Sequence, residues 1–143
     1  PAMNALSLVY PMFAMVLLTA TVLAILFRSR VRALRGQKVK LEYFRIYQGA
    51  TEPEESAQAA RHFSNLFEAP TLFYAACLAA LVTQTSGTVI VALAWAYVAA
   101  RIVHAGIHLG SNRVRLRMRA YFAGWLVLLA MWIVIVTGVA TAG

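Results

Sequence analysis

Ionisable and hydrogen-bonding side chains recur at helical spacing within stretches of the chain that are otherwise apolar. Residues three or four positions apart lie on one face of a helix. Three such stripes occur: Arg61, Asn65 and Glu68; Tyr97, Arg101, His104 and His108; and Arg113, Arg117 and Tyr121. A charged residue at the centre of a membrane helix costs roughly 2.5–3.5 kcal/mol on insertion scales and usually faces the bundle interior. We therefore expect the stripes to turn toward one another and form a site.

The chemistry of this site follows from the groups that the stripes supply, which are a carboxylate, an amide, guanidinium groups, imidazoles and phenols. They predict a positively charged, hydrogen-bonding pocket under an apolar roof, suited to a small anionic, polar ligand beside a lipophilic one. Glu68 and Arg101 lie at similar chain distances from Ser86. At ~1.5 Å per residue their depths differ by only about 5 Å, so the stripes are expected to meet.

Structural roles account for parts of the same pattern. Glu68 could pair with Arg101 or Arg61 only to hold the bundle together, and Tyr97 could be a packing residue. Three further basic residues are more typical of topology signals or lipid headgroup contacts: Arg113, Arg115 and Arg119.

No metal or haem is expected. His104 and His108 have the i, i+4 spacing that can bind one metal, but Arg101 on the same face opposes a cation and no third ligand is evident. One helix cannot present two neighbouring histidines to opposite faces of a haem, and His62 is expected at the membrane edge. Cys77 is the single cysteine, so no internal disulfide can form, and we expect it to be a packing residue.

The apolar stretches that carry the stripes are long enough to cross a membrane. The chain has 143 residues, of which 62% are hydrophobic and 13% charged, whereas soluble domains are roughly half apolar and a quarter charged. A hydrocarbon core of ~30 Å needs about 20 apolar residues. The sequence therefore predicts an all-α integral membrane protein, a four-helix transmembrane bundle that forms a single domain over residues 1–143.

Uncharged stretches place the predicted helices at residues 5–27, 52–83, 89–109 and 119–139, with a cytoplasmic loop at 28–51. Thr51 is the predicted N-cap of the second helix, with Glu54 three residues later, and a polar turn at 83–88 separates the second helix from the third. Loops rich in Lys and Arg remain in the cytoplasm, so both termini are predicted on the non-cytoplasmic side of a bacterial inner membrane. The net charge of +8 is thereby explained without nucleic acid.

The residues of the polar stripes resemble those of a known family, the membrane-associated proteins in eicosanoid and glutathione metabolism (MAPEG). That family includes microsomal glutathione transferases and prostaglandin E synthase. The length and the four-helix layout agree as well, so the resemblance covers the whole chain, as a divergent bacterial-type member. The matching elements are Arg-x-x-x-Asn-x-x-Glu-x-Pro from Arg61 to Pro70, Arg-x-x-His from Arg101 to His104, and the segment from Arg117 to Tyr121.

The resemblance implies a homotrimer that binds glutathione between neighbouring subunits near the cytoplasmic side. Asn65 and Glu68 would hold the peptide backbone and the ammonium group, with help from His104. Arg117 and Tyr121 would approach the glutathione sulfur and carboxylate as the catalytic residues, because a nearby cation favours the thiolate. The remaining implied binding residues are Arg61, Arg101, His108 and, at the end of the first helix, Arg28 or Arg30.

Two functions are compatible with the resemblance. The first is a glutathione-dependent transferase or peroxidase that acts on lipophilic substrates in the cytoplasmic half of the bilayer. The alternative is a non-catalytic, lipid-binding protein or an accessory subunit of a larger membrane complex. It is motivated by departures from the glutathione-using members: His62 directly after Arg61, Ser64 before Asn65, Leu66 where Asp is frequent, and His108 where an aromatic hydroxyl is frequent.

Overall fold

Helices make up most of the computed structural model, which describes residues 5–49, 51–85 and 87–142. A 3-10 turn at Ala5–Leu8 leads into the first α-helix. The α-helices are α1 (Val9–Arg35), α2 (Tyr43–Ile46), α3 (Glu54–Asn65), α4 (Ala69–Val82), α5 (Thr88–Leu109) and α6 (Val114–Ala142). The described part of the chain contains no strand.

Four helical segments are long and apolar enough to cross a membrane, and α3 and α4 together form the second of them. These segments are Leu6–Arg35, Glu54–Val82, Thr88–Leu109 and Val114–Thr141. The prediction of an all-α, multi-pass membrane bundle with four spans is therefore confirmed.

The first helix continues beyond the predicted end at residue 27. It remains helical to Arg35 and ends at Gly36, whose backbone N–H donates to the Arg32 carbonyl. Ser29 and Ala33 stay buried on the inner face of this extension. Charged residues end the apolar stretch, but they do not end the helix, because Arg is a good helix former. The predicted loop at 28–51 is thus shorter and contains α2.

The second span is not one continuous helix over 52–83. It is interrupted between Asn65 and Ala69, because Pro70 lacks the N–H that would bond to the carbonyl four residues earlier. Pro70 is instead accommodated in the first turn of α4. The predicted N-cap at Thr51 is also wrong, since α3 starts at Glu54 after Pro53 without a side-chain capping bond.

The connections at the other helix ends differ less from the prediction. The turn between the second and third spans includes Ser86, which lies outside the described residues. Next to it, Gln84 and Gly87 have positive φ angles of 54° and 140°, respectively. The last helix begins at Val114 rather than at 119. Arg is a good helix former, so the basic residues before 119 extend the helix.

The core lies where α1, α4, α5 and α6 pack together. Phe73 of α4 stacks on Tyr97 of α5 with ring centroids 4.5 Å apart, and Tyr97 is fully buried, as expected of a packing residue. Small residues such as Ala76 and Ala94 are also fully buried, which lets the helices approach closely. This core fixes the relative positions of α4, α5 and α6 beneath the polar stripes.

Candidate functional site

Three helices meet at a cavity of about 340 Å³. Its wall consists of side chains from α3, α5 and α6, namely Arg61, Asn65, His104, His108, Arg117, Met118 and Tyr121. Six of these seven residues belong to the polar stripes of the sequence. The cavity is also of the size of small-molecule sites, which are roughly 300–1,000 Å³.

A chain of hydrogen bonds joins α5 to the end of α3. The Arg101 guanidinium donates to Asn65 Oδ1 at 2.7 Å, and Asn65 Nδ2 donates to Glu68 Oε2 at 3.2 Å. Arg101 is only 1% exposed and lies behind the cavity wall rather than on it. Among the described residues, Glu68 forms no ion pair with Arg101 or Arg61. The two stripes are therefore connected through Asn65 and not by a direct salt bridge.

The Arg117 side chain is held at the start of α6. Its guanidinium donates to Asn112 Oδ1 at 2.7 Å, and Asn112 lies in the turn before α6 with a φ of 47°. The Arg117 backbone carbonyl lies 3.1 Å from His104 Nδ1. The guanidinium and the backbone carbonyl of Arg117 are thus both held by neighbouring residues, and Arg117 lines the cavity.

Tyr121 lies one turn further along α6. The centroid of the Tyr121 ring is 5.7 Å from that of His104. Arg101 Cζ lies 5.9 Å from the centroid of the Tyr121 ring. A guanidinium at this distance from an aromatic ring is attracted by the π-electrons. The phenol is consequently fixed between α5 and the cavity.

A third histidine, which sequence reasoning did not assign to the site, lies behind the cavity. His62 is fully buried, and its ring centroid is 4.8 Å from His108 and 5.5 Å from His104. His62 was expected at the membrane edge; it lies on the buried face of α3 with Ser56 and Ala59, one turn before Leu66. In the described chain, no group of three His, Cys, Asp or Glu side chains is placed to hold a metal ion.

The two basic candidates at the end of α1 lie away from this cavity. Arg28 is exposed on the outer face of α1, in a groove with Phe27 and Arg32. Arg30 donates to the Tyr47 hydroxyl at 3.2 Å and lies 3.7 Å from Glu52 Oε1. Neither side chain lines the cavity.

A match to a known protein family shows where this fold and site belong. The model of the MAPEG family matches residues 8–137. The chain belongs to the MAPEG family. This finding confirms the family inferred from the polar stripes, and the matched region contains every residue of the cavity wall. Searches of curated proteins and of solved structures give no match.

Membership in the MAPEG family gives the cavity a chemical context, because the family includes glutathione-dependent transferases and related proteins. Arg61 is exposed at the cavity wall, and its guanidinium has no hydrogen bond or ion pair to another described residue. Guanidinium groups bind carboxylates in a bidentate geometry. The arrangement of Arg61 and Arg117 can therefore bind an anionic ligand, with Tyr121 as a further hydrogen-bond donor.

Proposed function

We propose that this MAPEG protein is a membrane-bound, glutathione-dependent transferase or peroxidase that acts on lipophilic substrates. The observation that carries the proposal is the position of Arg117 and Tyr121 on one cavity wall with Arg61 and Asn65. A thiol becomes a strong nucleophile as the thiolate, which a neighbouring cation stabilises. Arg117 supplies this cation, and the Tyr121 hydroxyl donates a hydrogen bond to the sulfur.

The rest of the cavity suits the peptide part of glutathione, which has two carboxylates and one ammonium group. Arg61 lines the cavity, its guanidinium has no partner among the described residues, and it receives a carboxylate. Glu68 does not line the cavity but is exposed next to Asn65, where it receives the ammonium group, while the Asn65 amide orients the backbone. A lipophilic substrate reaches the thiolate from the apolar faces of the bundle, which carry exposed side chains such as Phe122.

The proposal includes assembly into a homotrimer. Arg28 on the outer face of α1 is the candidate that reaches the cavity of a neighbouring subunit. The basic ends of the helices lie in the cytoplasm of a bacterial cell and both termini lie on the other side, because Lys and Arg accumulate in cytoplasmic loops. Native mass spectrometry of the detergent-solubilised protein tests this assembly, and a monomer that binds glutathione would contradict it.

The catalytic proposal is tested with protein purified in detergent. Glutathione is expected to raise the unfolding temperature, and Arg117→Ala is expected to abolish turnover of a lipophilic electrophile. Arg113→Ala is the matched control, because Arg113 is exposed one turn earlier and does not line the cavity. The absence of binding at millimolar glutathione, or equal turnover in Arg117→Ala and the wild type, would refute the proposal.

A second candidate is a non-catalytic lipid-binding protein or an accessory subunit of a larger membrane complex. It is favoured by the hydrogen bonds that join Arg101, Asn65 and Glu68 to one another without a ligand. This alternative predicts stable co-purification with partner proteins and no glutathione-dependent activity. Isolation of an active homotrimer without partners would exclude it.

A further inference from the structure

Four arginines lie close together where α6 begins, and one of them differs from the rest. Three are exposed, namely Arg113, Arg115 and Arg119. Arg117 is half-buried and is the one of the four that lines the cavity. Among the described residues, it is also the one of the four whose guanidinium has a side-chain hydrogen bond, which it donates to Asn112. The position of the Arg117 charge therefore depends on Asn112.

Asn112 lies in the turn that joins α5 to α6. Its φ of 47° is in the left-handed region, which glycine, asparagine and aspartate tolerate better than other residues do. Its backbone N–H donates to the Ile107 carbonyl at 2.8 Å, a bond that closes the end of α5. The turn by itself would therefore accept glycine, asparagine or aspartate at position 112.

The side chain of Asn112 restricts this choice. Arg117 Nη1 donates to Asn112 Oδ1 at 2.7 Å, and a guanidinium can only donate, so the amide must present its oxygen. Glycine has no side-chain acceptor, whereas asparagine and aspartate both have an oxygen at this position. The amide is neutral and leaves the charge of Arg117 intact, but a carboxylate would form an ion pair with the guanidinium.

The charge of Arg117 is not offset by an acid in the cavity. In the described chain, no carboxylate lines the cavity, and the ion pairs join α1 to Glu52 and Glu55 instead. Arg113 precedes Arg117 by one turn and is also a cation. The other ionisable groups of the cavity wall are Arg61, His104, His108 and Tyr121. A neutral partner at position 112 keeps this site positive, which favours an anion.

We propose that Asn112 is a positioning residue: it holds the Arg117 guanidinium at the cavity wall through a neutral acceptor, so that the full charge of Arg117 acts on an anionic ligand. This inference rests on the proposed glutathione-dependent function, in which Arg117 stabilises the thiolate. Without the bond, ligand binding would have to order the long side chain of Arg117. Asn112 does not line the cavity, so it acts through Arg117 and not by contact with the ligand.

Three variants separate the turn, the bond and the charge. Asn112→Gly keeps the left-handed turn and removes the bond. Asn112→Asp keeps the turn and an acceptor for Arg117, but it adds a negative charge beside the guanidinium. Ser111→Asp is the matched control, because Ser111 is exposed in the same turn and the Arg117 bond is made by its neighbour. Thermal unfolding without a ligand checks that each variant is folded.

The measured quantity is the thiol pKa of glutathione bound to the full-length protein in detergent. It is read from the ultraviolet absorbance of the thiolate as the pH is varied. A carboxylate beside Arg117 offsets the charge that favours the thiolate, so Asn112→Asp is expected to raise this pKa by about one unit. Asn112→Gly is expected to raise it by less, because the guanidinium is displaced but still charged. In Ser111→Asp the shift is expected to be below ~0.3 unit, because an exposed charge is screened.

A further variant shows whether the added carboxylate acts through Arg117. The ligand is S-methylglutathione, which keeps the carboxylates of glutathione but has no thiol to titrate. Asn112→Asp is expected to weaken its binding several-fold in the wild-type background and much less in Arg117→Met, which has no guanidinium to neutralise. A loss of equal size in both backgrounds would mean that the carboxylate repels the ligand directly, and it would overturn the proposal.

The remaining outcomes distinguish this inference from the function on which it rests. A wild-type thiol pKa in Asn112→Gly or Asn112→Asp would reduce Asn112 to a residue of the turn and leave the proposed function intact. Equal shifts in Asn112→Asp and Ser111→Asp would likewise overturn the proposal. If the wild type bound neither glutathione nor S-methylglutathione, the proposed function would fall, and this inference with it.

Discussion

Replacement of Asn65 by leucine would remove the hydrogen bond that joins α3 to α5. Asn65 Oδ1 accepts from the Arg101 guanidinium at 2.7 Å, and Arg101 is 1% exposed. Leucine has a similar size but cannot accept, so a buried, charged donor is left without its partner. Hydrogen bonds to charged groups contribute ~1.5–3 kcal/mol. Because Asn65 is itself half-buried beside the cavity, water can replace part of the bond, and we expect a loss of about 2 kcal/mol in the free energy of unfolding.

A double-mutant cycle isolates this bond from other effects of the substitution. Arg101→Met removes the charge that needs Asn65, so Asn65→Leu is expected to cost much less in that background, with a coupling energy of ~1.5 kcal/mol or more. Glu68→Gln is the control, because Glu68 is exposed and glutamine retains an oxygen that accepts from the Asn65 amide. Its expected effect is below ~0.5 kcal/mol.

The free energy of unfolding is measured in mixed micelles by titration with a denaturing detergent and followed by the fluorescence of the tryptophans. Trp125 is useful here because its ring lies 6.5 Å from that of Tyr121, near the site. Equal unfolding curves for the wild type and Asn65→Leu, together with additive effects in the cycle, would show that the bond does not stabilise the bundle.

Four further substitutions test other parts of the structure. Gly124→Ala is expected to stabilise the bundle by ~0.5 kcal/mol, because alanine favours the helix and its Cβ would lie 3.8 Å or more from neighbouring atoms. Gly110→Ala is expected to destabilise it, since a Cβ there would lie 2.8 Å from the Gly106 carbonyl oxygen. Thermal unfolding compares the two variants, and a higher unfolding temperature for Gly110→Ala than for Gly124→Ala would contradict the packing around these glycines. Tyr121→Phe keeps the ring but loses the hydroxyl, so turnover is expected to fall about tenfold, while unchanged steady-state kinetics would remove Tyr121 from the mechanism. Arg30→Met is expected to make the 36–53 segment several-fold more sensitive to chymotrypsin, because Arg30 bonds to this segment; an unchanged cleavage rate would argue against that role.

The number of membrane spans and their helical class could be predicted from the sequence, whereas several helix ends could not. Uncharged stretches reveal where the chain is surrounded by hydrocarbon. Arg28 marks the end of such a stretch, yet α1 continues to Arg35, because a helix can leave the membrane without unwinding. The break after Asn65 could have been predicted from Pro70, but the continuous pattern of apolar residues concealed it.

For the candidate site as well, some residues could be predicted from their spacing, whereas the positions of others depend on the path of the chain. Spacing was sufficient to predict that His104, Arg117 and Tyr121 share one site, and all three line the cavity. Residues on one helix face stay together whatever the exact packing of the helices. The position of Arg30 depends instead on the path of the 36–53 segment, which apolar periodicity does not encode. His62 was missed because its role depends on which histidines the neighbouring helix presents to the buried face of α3.

Arg101 illustrates why a polar stripe can indicate a site without supplying all of its contacts. Its guanidinium is behind the cavity wall, where it donates to Asn65 and lies 5.9 Å from the centroid of the Tyr121 ring. In surroundings of low dielectric constant, however, a charge acts over several ångströms with little screening. Arg101 therefore makes the cavity more attractive to anions than Arg61 and Arg117 alone would make it. Its effect on ligand affinity follows from its field, and its effect on stability follows from its bond to Asn65, so Arg101→Met should weaken anion binding even in a background where Asn65→Leu has already removed that bond.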